Sequence, residues 1–128
     1  MLTKRNPNGV PQPASKYAQT VEGSGALRWL HVSGQIGVTA DGAVLDGFEA
    51  QCEQSFQNIV ACLEASGMGV EDLVKVTVLI TRQQDVPAYR AIRDRMLKGV
   101  ETASTLMVVA GLASPAFLVE IEAVAAKG

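Results

Sequence analysis

Polar and apolar residues alternate through "DLVKVTVLIT" at 72 to 81, where Val74, Val76, Val78 and Ile80 share one face, and this predicts a β-strand. "LRWLHVSGQIGV" alternates too, with Leu30 and Val32 on one face and Trp29, His31 and Ser33 on the other, so it reads as a second strand after "YAQTVEG". Helical spacing replaces alternation between the two: Cys52, Phe56, Ile59, Val60 and Leu63 form one apolar stripe. Asp46 with Glu49 offers a capping box at its start, and Gly67 and Gly69 supply the stop. A second helix follows Asp85 as N-cap, with Val86, Tyr89, Ile92 and Met96 inward and Arg90, Arg93, Arg95 and Lys98 outward. "STLMVVAGL" and "FLVEIEAVA" close the chain as two strands. Residues 1 to 15, rich in Pro, Asn and Gly, read as an irregular arm.

The order of strands, helix, strand, helix and strands gives an α+β domain: a small sheet with two helices on one face. Two helices cover only one side of such a sheet, yet "TLMVVA" is apolar on both sides, so the uncovered face calls for a partner, most simply a second copy of the chain. At 128 residues and 48% hydrophobic content, residues 1 to 128 make a single domain. A formal net charge of -2 offers no overall attraction for phosphate backbones and argues against nucleic acid as a partner. The basic N-terminus lacks an apolar segment behind it, and no stretch is long enough to span a bilayer, so a cytoplasmic protein without a membrane partner is expected.

Candidate chemistry is sparse. Cys52 and Cys62 stand ten apart on one helix, about 15 Å along its axis, so they cannot bond each other, and no histidine lies beside either to build a zinc site. His31, the single histidine, shares a strand face with Ser33, which places the two side by side rather than as base and aimed nucleophile. "SGQIG" has too few glycines for a phosphate loop. Glu120 and Glu122 lie two apart in an apolar strand, about 7 Å from one another along it, and an unpaired carboxylate there is costly. That spacing suits inverting glycoside hydrolysis, but the chain is poor in aromatics for a sugar platform. Glu122 fits a hydrated strand end; Glu120, deeper in the run, fits a wet cleft equally well. Arg90 follows the inward Tyr89 and could reach a cleft edge to hold a carboxylate.

Taken together, Tyr17, "HVSGQIG" at 31 to 37, "CLEASGMGVEDLVKVTVLI", "YRAIRD" and "VEIEAVA" at 119 to 125 resemble the RidA family, also called YjgF or L-PSP proteins. The resemblance implies a chorismate-mutase-like fold and a homotrimer whose sheets meet in a central barrel. It also implies hydrolysis of reactive enamines and imines to keto acids and ammonia, with no metal and no organic cofactor, in clefts between subunits. By the same resemblance Glu120 positions the attacking water, while Tyr17, Ser33 and Gly34 line the ligand cleft. The family's carboxylate-clamping arginine falls on Ser104, and Leu106 stands where a cysteine is common. Serine offers neither charge nor a planar fork, so the chain is placed among the arginine-lacking members. It either acts on another imino or keto acid-like ligand, uses Arg90 as the clamp, or only binds. Three readings therefore stand: an imine or enamine hydrolase, a non-catalytic metabolite-binding or protein-interaction trimer, and the endoribonuclease or translation inhibitor of some family names. The acidic balance weighs against the last.

Overall fold

A computed structural model describes residues 1–128. Strand β1 (Leu2–Arg5) pairs antiparallel with β2 (Thr20–Gly23), so the N-terminal arm is not wholly irregular. That pairing is between segments far apart in sequence, with no local signal to announce it. Tyr17 lies outside both strands, in the loop leading to β2. The main sheet contains β3 (Arg28–Ile36), β4 (Leu73–Ile80), β5 (Ala103–Val108) and β6 (Val119–Lys127), in the order β3-β6-β4-β5. Only β4 and β5 run parallel, and α2 (Val86–Met96) makes the crossover between them; α1 (Phe48–Ala65) connects β3 to β4.

The core lies between this sheet and the two helices. Cys52, Phe56, Ile59 and Leu63 of α1, with Tyr89 and Ile92 of α2, pack onto Val76, Val78, Ile80, Val119, Ile121 and Ala123. The helical stripe and the strand alternation thus bury most of the residues they predict, with Leu30, Val60, Val86 and Met96 half-buried at the edge of the core, and each fully buried large side chain contributes roughly 1.5–3 kcal/mol. Val74 is only half-buried, because a register irregularity between Leu73 and Lys75 turns Leu73 inward in its place. No helix is long and apolar enough to cross a membrane.

The helix N-termini differ from expectation. Gly47, at φ 88°, occupies the N-cap of α1 without a side-chain bond, so Asp46 and Glu49 form no capping box. Asp85 precedes α2, but its carboxylate is taken by Arg82 through contacts of 2.8 and 3.2 Å and does not cap the helix. At the C-terminus of α1, Gly67 takes φ 70° and donates to Glu64 O, while Met68 donates to Leu63 O, a Schellman motif that confirms the glycine stop.

Candidate functional site

Register decides where the site residues face. Ser104, Leu106 and Val108 of β5 pair with Val76, Val78 and Ile80, so they share the helix side of the sheet. Tyr17 is brought beside them by the loop before β2. Ala18 N donates to Thr102 O at 3.0 Å and Ala18 bridges Ala103, while Thr102 Oγ1 donates to Leu73 O at 3.0 Å. A cavity of about 360 Å³ opens between this loop, β5 and α2, lined by Tyr17, Tyr89, Arg90, Arg93, Ser104 and Leu106 among others. Four of the residues expected from the sequence, Tyr17, Arg90, Ser104 and Leu106, therefore meet in one place.

Arg90 is exposed, at the mouth of this cavity, whereas Arg93, expected on the solvent face, is 5% exposed. The reason is its position one turn after Tyr89: the guanidinium lies over the Tyr89 ring, 5.8 Å from its centroid. Burial pushes the Tyr89 phenol well above its ordinary range, with Arg93 and Ser104 pulling the other way. The Tyr89 Oη is enclosed and has no partner at hydrogen-bond geometry, so the Ser104 hydroxyl is near enough to act on it but not placed to bond it.

Glu120, Ser33 and Gly34 stand on the other face. Ser104 pairs with Val76 and Val76 with Ala123; Glu120 is three residues from Ala123, an odd number, and so points away from the helices. Ser33 and Gly34 sit in the register irregularity between Val32 and Gln35. The Glu120 carboxylate occupies the space that a side chain on Gly34 would need. Glu122 shares this face, where Thr77 pairs with both it and Thr105, so a polar row crosses the middle of the sheet. Ser33, His31 and Lys75 border the same hollow. The open face is therefore mixed rather than apolar throughout: Trp29 and Met107 are 53% and 45% exposed toward its ends.

Two amides of α1 fix the surroundings of Glu120, and neither was marked by the sequence reading. Gln51 Nε2 donates to Leu45 O and Ala116 O at 3.0 and 2.8 Å, and its Oε1 accepts from Leu118 N at 2.8 Å, which anchors the entry to β6. Asn58 Nδ2 donates to Ile36 O and Val38 O at 3.2 and 3.0 Å, anchoring the end of β3 where Ile36 pairs with Glu120. A glutamine directly beside the apolar stripe was the available signal for the first. No cluster of three or more His, Cys, Asp or Glu side chains is arranged to hold a metal ion.

Comparison with known proteins agrees with this architecture. The family model described as Endoribonuclease L-PSP matches residues 8–127. A RutC family protein of Aquifex aeolicus is 36% identical over 120 residues, covering 92% of this chain and 94% of its own. A 2-iminobutanoate/2-iminopropanoate deaminase of Dermatophagoides farinae is 33% identical over 117 residues, 90% of this chain and 88% of its own. The crystal structure of YyfB, a protein of the conserved Rid family from Yersinia pestis, superposes with a TM-score of 0.88 at 27% identity over 97% of each chain. With the sheet order, the two helices and the sequence matches in agreement, the chain belongs to the RidA/YjgF/L-PSP family.

Proposed function

We propose that this protein is a homotrimer that hydrolyses a small, reactive imine or enamine in clefts between subunits. The observation that carries the reading is the seating of the Glu120 carboxylate against Gly34, the residue that follows Ser33, on the sheet face that no helix covers. A carboxylate in that position holds a water and accepts its proton. The water oxygen bonds to the C=N carbon, the proton passes to nitrogen, and collapse of the carbinolamine expels ammonia and leaves a keto group. An enamine enters the same sequence after protonation at carbon, and no oxidant, metal or organic cofactor is required. Deaminases of 2-iminobutanoate and 2-iminopropanoate among the relatives support this substrate class.

Assembly completes the site in this reading. Three copies close their open sheet faces into a barrel, covering Trp29 and Met107, and bring the Glu120 side of one copy to the Ser104 cavity of the next. The second reading, a metabolite-binding trimer without turnover, is favoured by Ser104 itself, which places no charge on β5 where the family's arginine is expected.

Ammonia release from 2-iminobutanoate generated in solution tests the hydrolase. Glu120→Gln should lower the rate by about a hundredfold or more. Gly34→Ala should lower it comparably while the oligomer persists, since a methyl group there displaces the carboxylate. A parent protein that releases no ammonia above buffer, yet binds a keto acid, would leave the binding reading in place.

A further inference from the structure

We infer that Arg93, rather than Arg90, is the cation that receives a ligand carboxylate in the cavity beside Ser104; this deepens, and rests on, the reading of that cavity as the ligand cleft. A guanidinium 5% exposed on a helix whose Arg90 and Arg95 are exposed needs a reason to be inside. Its known contacts use only part of it. Nε and Nη2 both donate to a single Asp94 oxygen, at 3.0 and 2.9 Å, and Nη1 donates to Ser15 Oγ at 3.3 Å. Three of the five N–H donors of a guanidinium are thus engaged and two remain. Asp94 is 41% exposed, so the compensating charge sits toward solvent while the free donors belong to a residue lining the cavity.

A second polar group stands there: Ser104 brings a hydroxyl to the cavity wall, beside the Tyr89 ring, whose own Oη is enclosed and unpartnered. No acidic side chain lines the cavity, whose remaining wall includes Val86, Leu106 and Val108. Donors on one side and short aliphatic groups on the other suit a small monocarboxylate with a short alkyl chain. Loss of an arginine from β5 is in this way offset by one from α2, approaching the same cavity from the helix. A buried arginine so placed also discriminates against neutral ligands, which would leave its free N–H groups unsatisfied.

Calorimetric titration of the purified full-length oligomer with 2-oxobutyrate tests the assignment. Arg93→Gln should weaken binding about ten- to a hundredfold, as expected for a charge-assisted contact, with the oligomer unchanged by sedimentation. Arg90→Ala should change it by less than about threefold, the scale of a solvent-screened charge. Asp94→Asn, which frees Arg93 of its counter-charge, should tighten binding, and it decides the matter if Arg93→Gln does not fold. Ser104→Phe, which plugs the cavity, separates the role of Arg93 from the place of the cleft. If it abolishes binding while Arg93→Gln and Asp94→Asn titrate like the parent, the role of Arg93 is overturned and the cleft stands. If Ser104→Phe also leaves binding intact, the cleft itself is misplaced, and a parent that binds no 2-oxobutyrate at millimolar concentration overturns both.

Discussion

Cys52 has no exposed surface, and burial, assisted by the nearby Glu53 charge, pushes its thiol up to about 12 from an ordinary 9.0. The neutral form is therefore favoured in the folded protein. This contribution to stability is fully present below about pH 9, where the unfolded thiol is also neutral, and is lost as pH rises toward 12 and the unfolded thiol ionises first. At pH 10.5 the loss from Cys52 amounts to about 2 kcal/mol. Tyr89 acts in the same direction, beginning near its ordinary 10.0. Urea unfolding at pH 7 and pH 10.5 should thus show the stability gap between the parent and Cys52→Ala narrowing by about that 2 kcal/mol; a constant gap would mean that the thiol ionises in place. The same burial predicts that iodoacetamide at neutral pH modifies the half-buried Cys62 and spares Cys52 in the native protein.

At the scale of elements, α1 does more than cover the sheet: through Gln51 it holds the turn into β6, and through Asn58 the end of β3, so the strand that carries Glu120 and its neighbour β3 are referenced to one helix. Gln51→Leu removes three part-buried hydrogen bonds to the backbone, which should cost about 1–3 kcal/mol. Thermal unfolding reads the loss, and faster amide exchange at Leu118 would locate it; full protection there would show that the β6 entry is held by something else. The stripe through Cys52, Phe56, Ile59 and Leu63 and the alternation of β4 were legible in the sequence, because each depends on residues only two to four positions apart. The β1–β2 pairing was not, since it joins segments separated by more than a dozen residues. Asp46 and Asp85 looked like caps, but a cap competes with other partners: Gly47 made the first turn by backbone conformation, and Arg82 claimed Asp85. Arg93 misled for a related reason, as helix periodicity alone assigns a charge to solvent unless its i−4 neighbour, here Tyr89, is seen as a platform. Tyr17, Arg90, Ser104 and Leu106 were expected at a ligand cleft and do line one cavity, yet that Glu120 faces the opposite way followed only from the strand register.

At the scale of the molecule, this opposition of faces has a consequence for assembly. Within one chain the sheet separates the Ser104 cavity from Glu120, so a site using both must take them from different copies. Two disabled variants should then repair each other. Glu120→Gln keeps the cavity but loses the water-holding carboxylate, and Ser104→Phe plugs the cavity but keeps Glu120. Each alone should release ammonia from 2-iminobutanoate at a small fraction of the parent rate. Unfolded together in equal amounts and refolded, they should assemble at random, and about a quarter of the interfaces in a closed ring would pair an intact cavity with an intact Glu120. Ammonia release should accordingly recover to about a quarter of the parent rate, and mixing the two without unfolding should recover less over the time that subunits take to exchange. No recovery after refolding, with mixed oligomers confirmed by native mass spectrometry, would mean that the two groups do not serve one site, and the polar open face with its Thr105, Thr77 and Glu122 row would then be a surface for assembly alone.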